Sequence, residues 1–264
     1  MKSFRKINMK NKYLKKALIV IAEVTVIFLL LYMNCTYDTN KIIIDDKITV
    51  HADTCNITYF LEVLHKANSK LKNANIDIPS ATFVLCKSQD EYNRKTLYTS
   101  RGSLATNITP FNLILLSSGN YQDDLQEKTD NRLVARSISS VIAHELAHSW
   151  QYSKLGVFMF SWTKFSCSWK LEGHAEYVAA SSSFNVNNGK QLFIQSHPNP
   201  AVILNNDIMN ATYWYYICRL RVSYLIDIKG ISWQDFWETT YNEETLDAEI
   251  REYISNTGYN IQQF

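Results

Sequence analysis

The segment Ser140-Val-Ile-Ala-His-Glu-Leu-Ala-His-Ser-Trp150 is the most informative part of this 264-residue sequence. It falls in a stretch with helical spacing of apolar residues, which predicts an α-helix. Four positions separate His144 from His148, so a helix places both imidazoles on one face, where they can reach a single Zn²⁺ at about 2.0–2.1 Å. Glu145 lies one position round that face, where its carboxylate can meet water at the metal. The segment therefore predicts a metal-binding helix that carries its own general base.

A second segment supplies what the first one lacks. It begins 21 positions after His148 and reads Trp169-Lys-Leu-Glu-Gly-His-Ala-Glu-Tyr177. A catalytic zinc site takes three protein ligands and leaves one position open for water or substrate. Glu172 can be the third ligand, and Glu176, one turn later, can accept the spare N–H of a ligand imidazole. His174 lies on another face of this helix, so we expect it to line the pocket or act as a cap rather than to bind metal.

Together, the patterns HELAH and W-x-x-E-G-x-A-E-Y resemble the gluzincin metallopeptidases, the broad thermolysin and aminopeptidase N group, and specifically their peptidase MA-like members. The resemblance covers about residues 80–255. It implies a zincin-like fold and one Zn²⁺ per chain, held by His144, His148 and Glu172. It also implies hydrolysis of peptide bonds with Glu145 as general base. In these families an acidic residue four positions after the third ligand orients the first histidine, which places Glu176 behind His144.

The resemblance also implies a donor for the oxyanion of the tetrahedral intermediate. Gluzincins often take a Tyr or His from the C-terminal helical part. By similarity to the family's Tyr before a "yL…G" helix, here Tyr224-Leu225 and Gly230, Tyr215 is the first candidate and Tyr216 the second. An aromatic helix face packed in the core explains these residues nearly as well. No G-x-M-E-N run is present, which favours an endopeptidase over an aminopeptidase.

A zinc-containing but catalytically inactive domain that binds a partner is the alternative function. Glu145 argues against it, because a structural zinc site has no use for a general base and usually fills all four positions. After residue 16 the chain has 20 basic and 25 acidic side chains. This mildly acidic body lacks the electrostatic footprint of a nucleic-acid-binding protein, so we exclude that class. We expect a peptide or protein substrate as the partner.

The N-terminus has the charge pattern of a membrane anchor. Residues 1–16 hold seven Lys and Arg and no acid, and Ala17 to Met33 is an apolar run interrupted only by Glu23. Seventeen residues are just enough to span a bilayer, and the basic flank belongs inside. A cleaved signal peptide is the competing interpretation, but no small-x-small cleavage site follows. We predict a basic cytoplasmic tail at 1–16, a single-pass signal anchor at 17–33, a polar tether at 34–46 and an extracytoplasmic domain at 47–264.

The domain at 47–264 is predicted to be α+β, with a small mixed sheet in its first half and helices in its second. Expected strands are Lys47–Ala52, Ala81–Cys86, Leu104–Thr106 and Asn112–Leu116, and expected helices are Asn56–Lys72, Arg132–Tyr152, Trp169–Phe184, Tyr213–Ile228, Trp233–Thr240 and Glu243–Ile254. Asn112–Leu116 can be an edge strand that pairs with substrate backbone, or a central strand, since it is apolar on both faces.

Two further features remain open at this level. Val157 to Phe165 is an apolar, aromatic stretch that we expect to be a loop, slightly favouring a cover for the core over a pocket wall or a contact with the bilayer. The four cysteines after the tether can form disulfides or serve as small buried residues; they are Cys55, Cys86, Cys167 and Cys218.

Overall fold

The computed structural model of the chain describes residues 32–37, 39–52, 57–97, 103–126, 136–180, 184 and 207–257, and the isolated positions 19, 23, 26, 27, 29 and 30. In the helix that begins at residue 207, side chains are described from Trp214 onward. The expected tail at 1–16 and much of the expected anchor at 17–33 lie outside these residues. In the described part, no helix has the length and apolar character needed to cross a membrane.

Five strands form one mixed sheet, in the order β1-β2-β3-β5-β4. They are β1 (Asn40–Ile43), β2 (Ile48–Ala52), β3 (Ala81–Leu85), β4 (Ala105–Ile108) and β5 (Leu113–Leu116). β2, β3 and β5 are parallel, while β1 and β4 pair antiparallel at the two edges. A separate two-stranded ladder pairs β6 (Leu125–Gln126) with β7 (Arg136–Ser137). The strands expected at the positions of β2, β3, β4 and β5 are confirmed.

The polar tether expected at 34–46 is wrong, because this segment belongs to the folded body. Residues 32–36 are helical, and Asn40–Ile43 forms the edge strand β1. The β-branched run Ile42 to Ile44 favours extended backbone. Asp45 then closes the hairpin, since its Oδ1 accepts hydrogen bonds from the backbone N–H groups of Lys47 and Ile48 at 2.8 Å.

β5 is an inner strand, which decides between the two positions left open for Asn112–Leu116. It lies between β3 and β4, and all four of its residues are buried. Ile114 and Leu116 join the larger core on the helix-covered face, while Leu113 and Leu115 join a smaller cluster on the opposite face. The exposed edge of the sheet on this side is therefore β4.

Helices predominate among the described residues of the second half of the chain, and two helices lie in the first half. The helices are α1 (Ile57–Asn73), α2 (Gln89–Lys95), α3 (Ile138–Ser166), α4 (Ser168–Ala180), α5 (Asp207–Ser223), α6 (Trp233–Glu238) and α7 (Glu243–Asn256), and a π-helical turn spans Tyr224–Ile228. The larger core joins the sheet to α1, α3 and α4. A second core joins α5, α6 and α7 around Trp169 of α4. Because α3 and α4 belong to the same core, side chains on their facing sides are held at fixed positions.

Both the start and the middle of α3 are set by particular residues. Ser137 is the N-cap, and its hydroxyl accepts from the Ser140 N–H. Asp124 accepts from the Ser139 N–H and hydroxyl at 2.7 and 2.8 Å. Gly156, with φ of 72° and ψ of 167°, divides α3 into two helical parts; positive φ suits glycine, which has no Cβ. The loop expected at Val157–Phe165 is thus wrong, since these residues form the second part.

The described cysteines are free thiols. Cys35, Cys86 and Cys218 are buried, and Cys167 is half-buried. Burial raises the pKa of Cys86 to about 12, so this thiol stays protonated. The described cysteines therefore fit the interpretation as small buried residues better than the interpretation as disulfides. Cys55 lies outside the described residues.

Candidate metal centre

Three side chains from α3 and α4 bring their ligand atoms to one point. Nε2 of His144 lies 3.1 Å from Nε2 of His148. Each of these nitrogens lies 3.3 Å from Oε2 of Glu172. Both imidazoles are buried, and the carboxylate is about one fifth exposed. The three residues expected as ligands therefore meet, at a largely buried position.

The spacing of these atoms fits a zinc ion. A tetrahedral ion with bonds of about 2.0–2.1 Å separates its ligand atoms by about 3.3–3.4 Å. The observed separations of 3.1, 3.3 and 3.3 Å agree with that geometry. Two imidazole nitrogens and one carboxylate oxygen are a donor set that zinc accepts, and three ligands leave a fourth position open. The residues present can therefore hold a zinc ion.

Electrostatics in the cluster favours an ionised carboxylate beside the two histidines. Burial alone would raise the pKa of Glu172, but His148 and His144 hold it well below its usual range. Burial alone would likewise lower the pKa of His144, but the carboxylates of Glu176 and Glu172 raise it to about 10. The carboxylates of Glu172 and Glu176 thus give the cluster a negative charge that favours a cation, either a proton on His144 or a metal ion.

Glu176 is held behind the first histidine. Its Oε1 lies 2.9 Å from Nδ1 of His144. Nη2 of Arg136, from β7, donates to both Glu176 oxygens at 2.7 and 2.8 Å. Burial would raise the pKa of Glu176, but His144 and Arg136 lower it to about 2, so it stays ionised. The position of Glu176 was anticipated from sequence; Arg136 lies only four positions before the Ser140–Trp150 segment, but no pattern marks it as the partner of Glu176.

Gln151 plays the corresponding part for the second histidine, and sequence reasoning missed it. Its Oε1 lies 2.8 Å from Nδ1 of His148. Its Nε2 donates to the Leu171 carbonyl at 2.8 Å and lies 2.9 Å from Nδ1 of His174. Gln151 is fully buried. Its position three residues after His148 on the same helix could have identified it, because such pairs are neighbours on a helix surface.

His174 supports this network rather than lining the open pocket or capping the helix as expected. Its ring stacks on Trp150 at 5.4 Å, makes a T-shaped contact with Trp233 at 4.6 Å and lies tilted against Trp237 at 5.4 Å. Burial, together with His148 and His144, lowers its pKa to about 3. A neutral His174 can offer Nδ1 as an acceptor to Gln151. The aromatic cage thus fixes Gln151, which in turn fixes His148.

We predict that Gln151→Leu weakens zinc binding by about 10–100-fold, because removal of a partner that orients a ligand imidazole typically costs this much. Leucine keeps most of the volume but accepts no hydrogen bond from His148. The measurement is competition for zinc with a chromophoric chelator. Gln234→Leu is the matched control, since Gln234 is exposed on α6. Equal affinity in the two variants would show that Gln151 does not position the site.

Glu145 and the edge strand lie next to the ligands. Glu145 is half-buried, and its backbone carbonyl accepts from Asn107 Nδ2 at 2.6 Å. The same amide donates to Ser149 Oγ at 2.9 Å. Burial raises the pKa of the Glu145 carboxyl, against the influence of His144 and His148. The Asn107 side chain therefore links β4 to α3, next to Glu145.

Tyr215 of α5 lies beside the ligands on another side. Its ring is 6.0 Å from that of His144, at 81° between planes. Burial, then the nearby carboxylates of Glu172 and Glu145, raise its pKa, so the hydroxyl remains protonated and can donate. Tyr216 is 47% exposed. Of the two candidate tyrosines, Tyr215 is the one whose ring contacts His144, a candidate ligand.

Close packing of α4 on α5 sets the distance between Glu172 and Tyr215. A Cβ at Gly173 would lie 2.4 Å from the Cys218 carbonyl oxygen and 2.8 Å from Val222 Cγ2. Any side chain there would push the two helices apart. Gly173 thus allows the contact that brings α5 to the ligands.

We predict that Gly173→Ala lowers the free energy of unfolding by about 1–3 kcal/mol, as overpacked cores do. The direction of the change is informative, because replacing glycine by alanine in a helix without such contacts raises stability by about 1 kcal/mol. Denaturant titration of the two proteins measures the difference. A variant as stable as the parent, or more stable, would mean that α4 and α5 can separate without cost.

Comparison of the sequence with models of known protein families and with curated proteins gives no match. The chemistry of this centre must therefore follow from its own residues and geometry.

Proposed function

We propose that this protein is a zinc-dependent peptidase with a zincin-like fold, and that it cleaves within peptide chains. One observation carries the proposal: three ligand atoms converge at tetrahedral spacing, and Glu145, the next residue after His144, is not one of them although its carboxylate interacts electrostatically with all three residues. A purely structural zinc site closes all four positions with protein ligands. The described residues supply three ligands, from His144, His148 and Glu172, and a base.

Each protein group around the site has a defined part in hydrolysis. Zn²⁺ in such a site supplies Lewis acidity, which acidifies water and polarises a carbonyl. Glu145 takes the proton as water attacks and delivers it to the leaving amine; its raised pKa suits both steps. Tyr215 donates to the oxyanion, since its hydroxyl stays protonated in the pocket. Glu176 and Gln151 hold the two imidazoles in place.

The edge strand β4 gives a place for the substrate backbone. β4 pairs with β5 on one side, and no described strand pairs with its other side. An extended peptide can add to such an edge through main-chain hydrogen bonds. Because Asn107 of β4 is bonded to the Glu145 carbonyl, a peptide on this edge runs past the general base. This arrangement supports a polypeptide as the substrate class.

We also propose that the protein sits in the cell membrane, with its N-terminus in the cytoplasm and the catalytic domain outside. The basic stretch 1–16 before the apolar run 17–33 supports this orientation. At described positions of the run, Ile19, Ile27 and Leu30 are 57%, 57% and 59% exposed. Apolar side chains that the protein leaves uncovered are those that lipid covers in an anchor.

Metal analysis of the purified full-length protein, combined with digestion of a mixed peptide library, tests the proposed activity. We expect about one zinc per chain, cleavage at internal bonds, loss of cleavage with EDTA and recovery on adding zinc. A protein that holds no metal would refute the proposal. A protein that holds zinc, cleaves nothing and retains a partner would instead be an inactive binding domain.

A further inference from the structure

The part of α3 after Gly156 carries an exposed apolar face. Phe158, Trp162 and Phe165 are 87%, 65% and 89% exposed. Their i, i+4, i+7 spacing places them on one side of the helix. Phe160 and Thr163 lie on the opposite side and are buried against the body. We call Phe158, Trp162 and Phe165 the aromatic ridge; a cluster of this kind usually marks a surface that meets a partner or a membrane.

The aromatic ridge and the N-terminal apolar run flank the same short turn. A groove of about 420 Å³ is lined by Phe165 on one side and by Pro110 on the other. Pro110 belongs to the 3₁₀ turn Thr109–Phe111. The ring of Phe111 lies 6.2 Å from that of Tyr32, at the end of the apolar run. The body therefore presents the ridge close to the point where the run joins it.

The composition around the ridge suits a lipid surface. Between Glu145 and Glu172 the chain has no acidic residue, and in the sequence Lys154 precedes Phe158 while Lys164 follows Trp162. Lysines near a membrane are attracted by anionic headgroups, and Trp prefers the membrane–water interface. A helix with an aromatic face and basic residues lies in the interface plane.

We propose that the aromatic ridge inserts into the surface of the bilayer that holds segment 17–33. The inference rests on the proposed anchor, which brings the ridge to lipid. A second copy of the chain is a poorer occupant. Three buried aromatic side chains cover about 150–250 Å² each, or about 450–750 Å² together, which is less than the roughly 800 Å² that each partner buries in a standard interface. β4 ends at Ile108, directly before the 3₁₀ turn Thr109–Phe111. With the ridge in the bilayer, the edge of β4 that we propose binds peptide would therefore lie close to the membrane.

Depth-dependent quenching of tryptophan fluorescence tests the proposal on the full-length chain. The chain is reconstituted into phosphatidylcholine vesicles with a minority of phosphatidylglycerol, with or without acyl chains brominated near the headgroup or near the chain end. The difference between the parent and Trp162→Phe isolates the emission of Trp162. We expect shallow bromines to remove more than about half of it, and deep bromines less, as for a helix about 5–10 Å into the interface. Trp214→Phe, which removes an exposed Trp outside the ridge, should leave this component unchanged.

A second variant separates docking from folding. Phe158 and Phe165 are almost fully exposed, so Phe158→Asp combined with Phe165→Asp should fold and stay in the vesicles, while Trp162 loses its quenching. If Trp162 in the parent is unquenched although the chain is in the vesicles, the proposal is overturned, whether water or a second copy covers the ridge. A chain that does not enter vesicles overturns both the anchor and the ridge. Zinc content and peptide cleavage are measured on the same samples, so a failure of the peptidase proposal is seen separately.

Discussion

Glu145→Gln should keep zinc and lose about 10²–10⁴-fold in the rate of peptide hydrolysis, the range that a general base contributes. Glutamine has nearly the shape of glutamate but cannot accept the proton from attacking water. The ligand atoms of His144, His148 and Glu172 are unchanged, so metal affinity should stay close to that of the parent. Binding and chemistry therefore separate in this one variant.

The measurement pairs zinc content with turnover on whichever library peptide the parent cleaves best. Glu62→Gln is the matched control, because Glu62 is an exposed helical glutamate on α1. The control should match the parent in both readouts. Normal zinc with near-parental turnover in Glu145→Gln would exclude the proposed mechanism. Loss of zinc would instead place Glu145 in the ligand set.

Local spacing explains why the cluster of His144, His148 and Glu172 could be predicted from sequence. His144 and His148 need only one regular helix to face the same way, and that helix has an apolar pattern and a serine N-cap. Glu172 required a second pattern and a family resemblance, because its approach depends on how α4 packs on α3. Gly173, which permits the close contact of α4 with α5, is part of that same pattern.

The rest of the site depends on tertiary contacts that no spacing reports. Arg136 reaches Glu176 from a two-residue strand, 40 positions earlier in the chain. Asn107 reaches α3 from the sheet edge, 38 positions away from Glu145. Gln151 is different, because its spacing from His148 is visible in the sequence, three positions along the same helix.

Two expectations about secondary structure are wrong, each for its own reason. Residues 34–46 were expected to be a tether because most of the segment is polar, yet three isoleucines suffice for an edge strand when β2 can pair with it. Val157–Phe165 was expected to be an apolar loop that covers the core, but it forms the second part of α3. Its ridge instead faces outward, which reverses the usual relation between hydrophobicity and burial.

Glu172→Ala should abolish tight zinc binding, with a loss larger than the roughly 10–100-fold expected when an orienting partner such as Gln151 is replaced. Removal of this carboxylate leaves two imidazoles, and the buried cluster loses the negative charge that compensates a bound cation. Hydrolysis should be lost with the metal, whereas Glu145→Gln loses hydrolysis alone. Chelator competition and metal analysis measure the first effect, and circular dichroism checks that the fold persists.

Glu62→Ala serves as the control, because it removes an exposed glutamate from a helix without touching the site. The order of zinc affinity should be the parent and Glu62→Ala first, then Gln151→Leu, then Glu172→Ala. Full retention of zinc in Glu172→Ala would remove this residue from the ligand set. Because Oε2 of Glu172 is the atom 3.3 Å from both imidazole nitrogens, that result would also remove the tetrahedral spacing on which the zinc assignment rests.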